Sequence, residues 1–305
     1  MAYQEPSNTA IDWIARSVGP GTSVETSRRL SGATSSNLYA VDCRRHGRSI
    51  PLVLRLFTDL DWLAVEPDLA AHEASNLVKA GGAGLPTPEL VAFDPTPASC
   101  GVPAVLMTRL PGAVELLPTD FHAWLTQQAE VLFPLHALDA TGYPWRYAPY
   151  NRIQDLRVPG WSTRPELWEK AIEIVSGPWP PFQPCFIHRD YHPVNVLFEA
   201  GRLSGVVDWP NACEGPGCID LSWSRANLAG MYGVAAADQL LQVYTALAGA
   251  ASDYHPFWDL MVIIEALPGP PSVYPPHIDF GLRDLNAALA LQRSDEYLAS
   301  VLAKL

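Results

Sequence analysis

The spacing of apolar positions changes character near residue 111. Ile11, Trp13, Ile14 and Val18 recur at close to helical spacing and predict a short amphipathic helix ended by Gly19 and Pro20. Strand-like runs follow at residues 24–30, 38–41 and 51–57, the last interrupted by one charge, Arg55. Residues 67–80 read as a helix closed by Gly81 and Gly82, and further strands are expected at 90–93 and 102–109. Beyond Pro111 and Gly112 the pattern turns helical. Phe121, Leu125, Ala129 and Leu132 share one face of a helix over 119–137. Shorter helical stretches are expected at 168–175, 234–247, 257–267 and 279–291, with a terminal one running to Leu305 and the segment PPSVYPP as a loop.

Set among these helices, residues 185–221 read CFIHRDYHPVNVLFEAGRLSGVVDWPNACEGPGCIDL. Three short apolar runs, at 185–187, 196–198 and 203–207, alternate with polar turns that hold Asp190, Asn195 and Asp208 at strand or loop ends. Two carboxylates and an amide oxygen in reach of a common point are oxygen-only ligands, which suit a hard cation. Mg²⁺ prefers one or two carboxylates and takes substrate phosphates as further ligands. A zinc reading of His188, Asp190 and His192 is a second possibility, but it leaves Asn195 and Asp208 unexplained.

The run His188-Arg189-Asp190, four residues and then Asn195 matches the catalytic loop of protein kinases. With His192 added, and with GVVDW and GPGCIDL downstream, the chain resembles the aminoglycoside phosphotransferase and choline kinase group of small-molecule kinases. The resemblance implies an α+β, bilobal, protein-kinase-like fold. Residues 1–110 would form a mainly antiparallel-sheet nucleotide-binding lobe with one key helix, and residues 111–305 a mainly helical lobe with the catalytic loop and acceptor site. It implies Asp190 as the group that orients the acceptor hydroxyl and receives its proton, with Asn195 and Asp208 as Mg²⁺ ligands. The aspartate of GPGCIDL, Asp220, would brace the catalytic loop. Ser35 and Ser36 fall in the nucleotide-covering turn SGATSSN, and Met107 and Arg109 fall where main-chain groups meet adenine. Arg55 stands where such kinases carry a phosphate-binding lysine, and Glu73 where its helix partner lies. An edge-strand Arg55 facing water and an exposed Glu73 remain the alternatives.

The cofactors implied are ATP, with GTP left open, and Mg²⁺. The function implied is transfer of the γ-phosphate to a hydroxyl of a small molecule, an aminoglycoside or other amine-bearing acceptor. The alternatives are a nucleotide-binding pseudokinase without turnover and a metal-dependent hydrolase.

Composition narrows the partners. The chain has 305 residues, 48% apolar and 17% charged, which is globular. Its net charge of −12 is concentrated after residue 110, where 11 basic residues face 21 acidic ones. That balance opposes nucleic-acid binding and favours a cationic acceptor. Glu265, Asp279 and Trp223 are candidate acceptor contacts. The five cysteines form no C-x-x-C pair and read as free thiols in a reducing cytoplasm. Neither a membrane span nor a secretory leader is expected, and the oligomeric state is not legible.

Overall fold

The computed structural model describes residues 5–30, 36–249 and 252–305, which fall into two compact units. The first comprises Met1–Gly112 and Ser204–Asn211. Its opening helix α1 (Asn8–Val18) starts at Ser7, whose side-chain oxygen accepts the Ala10 N–H, and buries Ala10, Trp13 and Ile14. A five-stranded antiparallel sheet follows, built from β1 (Thr22–Arg29), β2 (Asn37–Arg45), β3 (Arg48–Leu56), β4 (Leu90–Asp94) and β5 (Ala104–Thr108), in the order β1-β2-β3-β5-β4. One core cluster joins Val41 and Cys43 of β2, Leu52 and Leu54 of β3 and Leu106 of β5 to Trp13 and Ile14 of α1. Each such large side chain contributes about 1.5–3 kcal/mol by leaving water.

Three helices complete this unit: α2 (Leu60–Val65), α3 (Leu69–Gly81) and the single turn α4 (Pro97–Cys100). Helix α2 is too short for a clear apolar period; it is set by Asp59, which accepts the N–H groups of Asp61 and Trp62. The return segment Ser204–Asn211 is not legible as part of this unit from the sequence. It is tied in by Ser204 Oγ donating to Pro111 O (2.8 Å) and Val206 N–H donating to Pro86 O (2.9 Å). Gly205 eases the approach, because a Cβ there would sit 2.5 Å from Leu110 Cδ1 and that side chain would have to turn aside.

The second unit comprises Ala113–Leu203 and Ala212–Leu305. Its helices are α5 (Phe121–His136), α6 (Pro165–Val175), α7 (Cys218–Tyr232), α8 (Val234–Ala248), α9 (Pro256–Glu265), α10 (Pro275–Asp279) and α11 (Ala287–Leu302). Helix α7 is packed by α5, α8, α9 and α11 and is buried on most sides. Its Arg225, fully buried, contacts both Asp259 oxygens at 3.2 Å and donates to Ala237 O at 2.8 Å. Short strands frame the loops: β6 (Ala113–Val114) pairs with β8 (Val196–Glu199), and β7 (Pro184–Ile187) with β10 (Cys213–Pro216). The chain leaves the unit through β9 (Arg202–Val206).

The helix expected at 279–291 with a separate terminal helix is not what forms. α10 stops at Asp279, Gly281 takes φ +111°, and α11 begins only after Asn286, whose side chain accepts the Leu289 N–H. The cap and the glycine outweigh the apolar spacing. All five cysteines are free thiols, and burial raises each of them. Among the described residues no helix is long and apolar enough to cross a membrane.

Candidate catalytic site

In the first unit, β3 lies between β2 and β5, so Arg55 is central and buried, not at an edge. Its guanidinium serves three partners. Nη1 donates to Ser36 Oγ at 2.9 Å and Nη2 to Asp208 Oδ1 at 2.8 Å, while Nε lies 3.0 Å from Glu73 Oε1. The Nε–H is not aligned on the Glu73 oxygen, so that contact is Coulombic and not a formed hydrogen bond. Burial pushes the Glu73 carboxyl up to about 7, against the pull of Arg55. A lysine has one nitrogen and could not span this set; the planar fork of arginine can.

Asp208 is held in place by its neighbours. It takes φ +73°, a left-handed conformation that aspartate tolerates better than most residues, directly before buried Trp209. Asn76 Nδ2 donates to Trp209 O at 2.7 Å, and Trp209 Nε1 donates to Val206 O at 3.0 Å. Glu73 and Asn76 are three apart on α3, so one helix face holds both the Arg55 cation and the Asp208 turn.

The remaining first-unit residues divide. Ser36 meets Arg55, whereas Ser35 lies outside the described residues. Met107 is buried in β5, paired with Val53 on one side and Leu90 on the other. The Arg109 N–H donates to Pro51 O at 3.1 Å and its side chain to Asp42 at 2.5 Å. That N–H is therefore committed within the sheet.

In the second unit the loop between β7 and β8 is built from α7. Asp220, fully buried in the first turn of α7, accepts the His188 N–H on Oδ2 (2.9 Å) and the Arg189 N–H on Oδ1 (2.7 Å), and His136 Nε2 lies 3.0 Å from Oδ2. These contacts hold Arg189 at φ +68°, and the bend presents Asp190 with its side chain 29% exposed. Tyr191 points inward, donating to Gln128 O (2.9 Å), and its carbonyl accepts Ser224 Oγ–H (2.8 Å). His192 caps the turn Pro193–Asn195, its Nδ1 accepting the Val194 N–H at 3.4 Å, while its Nε2 lies 3.5 Å from Asp190 Oδ1 and 3.3 Å from Asn195 Nδ2. Asn195 Nδ2 donates to Asp190 O (2.9 Å) and lies 3.4 Å from Asp190 Oδ2. With its amide protons turned this way, Asn195 keeps Oδ1 as an oxygen donor.

His192 is thus buried and contacts Asp190, and the ring of Tyr274 from the PPSVYPP loop packs edge-on against it at 6.1 Å. His188 Nδ1 accepts the Asp190 N–H at 3.3 Å, a loop contact. Among the described residues no three His, Cys, Asp or Glu side chains are grouped to hold a metal, so the zinc arrangement does not form. Of the candidate acceptor contacts, Asp279 is exposed at the end of α10, Trp223 is half-buried on α7, and Glu265 closes α9 with Oε1 accepting the Tyr147 O–H at 2.9 Å.

The model of the phosphotransferase enzyme family matches residues 25–258. The chain belongs to this family. Its fold is that of solved family structures. A thermostable mutant of aminoglycoside phosphotransferase APH(4)-Ia, in ternary complex with ADP and hygromycin B, superposes with a TM-score of 0.64 at 19% identity, over 96% of this chain and 99% of that one. Macrolide 2'-phosphotransferase MphH from Brachybacterium faecium gives 0.54 at 20% identity, over 94% and 96%. Homoserine kinase of Mesorhizobium japonicum is 32% identical over 133 residues, which is 37% of this chain and 38% of that enzyme.

Sequence reasoning missed two parts of the site. The Arg55–Asp208 pair joins positions 153 apart with no local signal. Asn76, Tyr147 and Tyr150 carry side chains common anywhere, and only the fold gives them roles.

Proposed function

We propose that the chain is an ATP-dependent phosphotransferase that moves the γ-phosphate to a hydroxyl of a small, amine-bearing molecule. The observation that carries this reading is the fixed presentation of Asp190: its peptide is bent by Asp220, its carboxylate is flanked by His192 and Asn195, and it remains open to solvent. Asp190 would orient the acceptor hydroxyl and accept its proton. Arg55, with Ser36 and Glu73 setting its direction, would face the nucleotide phosphates.

Asn195 Oδ1 and the Asp208 carboxylate are each a hard oxygen donor of the kind Mg²⁺ takes, and each is proposed as a ligand on those chemical grounds. The ion, when bound, would neutralise charge on the β- and γ-phosphates. Positioning and charge neutralisation supply most of the catalysis in such transfers.

The acceptor class rests on two supports: the acidic balance after residue 110, and relatives named for aminoglycosides and homoserine, both of which carry amines. The free thiols suit a cytoplasmic enzyme. The test is ATP consumption with Mg²⁺ across a panel of hydroxyl compounds, including aminoglycosides, homoserine, amino alcohols and macrolides. The expected result is acceptor-dependent ADP release with an amine-bearing member, abolished by D190N. Nucleotide binding without transfer to any member would overturn it in favour of a pseudokinase.

A further inference from the structure

The residue before the proposed base is held from a second direction. The Arg189 guanidinium donates through Nη2 to Ala148 O (2.6 Å) and lies over the Tyr150 ring at 4.1 Å and the Tyr147 ring at 5.6 Å. The segment carrying these tyrosines is laid along β10 by Tyr147 N–H donating to Glu214 O (2.7 Å) and Glu214 N–H donating to Trp145 O (2.9 Å). A glycine permits this, since a Cβ at Gly215 would fall 2.7 Å from Tyr147 Cβ.

Glu265 completes the arrangement. It is the last residue of α9, the negative end of a helix, where a carboxylate is disfavoured unless a cation compensates it. Its Oε2 and the Nε of Arg189 are both buried without a hydrogen-bond partner, and the carboxylate reaches Arg189 through Tyr147, whose O–H it accepts at 2.9 Å and whose ring lies 5.6 Å from the guanidinium. Asn151 Nδ2 closes the same end of α9, its two N–H groups shared among the carbonyls of Leu267 (2.8 Å), Ile264 (3.0 Å) and Glu265 (3.2 Å).

We propose that Glu265 is a positioning residue for the catalytic loop: with Tyr147 and Tyr150 it fixes the Arg189 side chain, while Asp220 fixes the Arg189 peptide, and together they set the direction of Asp190. This rests on the reading of Asp190 as the acceptor-activating group.

Burial pushes the Glu265 carboxyl up to about 7, with the Tyr147 hydrogen bond, Arg189 and the Tyr150 N–H pulling it back. The charged and titratable groups acting on it are Arg189 and Tyr147, with Cys213 of β10 nearby. Burial holds the Tyr147 phenol far above its ordinary value and the Cys213 thiol at about 12, so both stay neutral where Glu265 ionises. The ionised carboxylate is the form that the Tyr147 O–H and the Tyr150 N–H favour, and it fixes the rings against which Arg189 lies, so the loop is best ordered above that pH.

The test uses the full chain with Mg²⁺-ATP and water as acceptor, which needs no identified substrate. Wild-type hydrolysis should rise with pH through about 7. E265Q should lose that limb and fall about tenfold at pH 8, with ATP affinity by calorimetry within about twofold. Y147F, which removes a hydrogen bond to the ionised form, should move the limb to higher pH, and it serves if E265Q fails to fold. Hydrogen exchange of amides 187–195 should be faster in E265Q at pH 8, whatever the turnover.

An unchanged pH limb and rate in E265Q, or unchanged exchange of 187–195, overturns the proposal. D190N separates the two readings. If D190N hydrolyses ATP like wild type, the role of Asp190 fails and the proposal with it; if D190N is inactive and E265Q is normal, only the role of Glu265 fails.

Discussion

Arg55 Nη2 lies 2.8 Å from Asp208 Oδ1, an ion pair between a central strand and a turn 153 residues later. The same guanidinium reaches Glu73 and Ser36, so the cation, the candidate metal ligand and the α3 acid form one electrostatic unit.

That unit should not tolerate lysine. R55K, with a single nitrogen, is expected to weaken Mg²⁺-ATP binding about tenfold, measured by calorimetry. R55M, which leaves Glu73 buried without its cation, should cost about 3 kcal/mol in urea unfolding, and R55M/E73M should recover most of it. Equal ATP affinity for wild type and R55K would separate Arg55 from the phosphates.

Asp190 is proposed to act on the acceptor and not on the nucleotide. D190N should cut turnover by about a hundredfold or more with ATP affinity close to wild type. Full activity on the identified acceptor would remove the assignment.

Asp220 gives one oxygen to each of two successive N–H groups. Asparagine can accept only one, and its NH₂ would face the other donor. D220N should therefore cost about 1–3 kcal/mol of stability and lower turnover without a matching loss of ATP affinity. Chemical denaturation and steady-state kinetics on the same preparation check both parts.

Buried Arg225 and Asp259 are proposed to be structural. R225M leaves Asp259 uncompensated and should cost about 3–5 kcal/mol, lowering the thermal midpoint by calorimetry. The paired change R225M/D259L should be far milder. A mild R225M would show that Tyr254, which donates to Asp259 at 2.5 Å, already suffices.

Glu265 should also mark the pH dependence of stability. Its folded-state value, about 7, lies above its ordinary 4.5, so the native state binds the proton more tightly than the unfolded chain. The resulting stabilisation is fully present below about 4.5 and is lost as pH rises through about 7. E265Q should remove that decline. Urea midpoints at pH 5 and pH 8 should converge in the variant, and an unchanged gap would count against the burial effect.

The loop from His188 to Asn195 was legible because its residues are close in sequence and each carries a distinctive group. The order of strands and helices was largely legible from apolar spacing. Helix α11 was misplaced because Asn286 and Gly281 act through capping and backbone conformation, which apolar spacing does not register. The return of Ser204–Asn211 to the first unit was hidden because it rests on hydrogen bonds to residues distant in sequence, Pro111 and Pro86. The three partners of Arg55 were equally hidden: a strand residue states its charge, but not which distant oxygens the sheet will bring beside it.

Helix α3 touches Arg55 through Glu73 and the Trp209 carbonyl through Asn76, one turn apart. Sliding that cylinder along its axis would carry off both grips in a single stroke. The Arg55 cation and the Asp208 turn therefore share one mechanical support, and a change that shifts α3 disturbs both together.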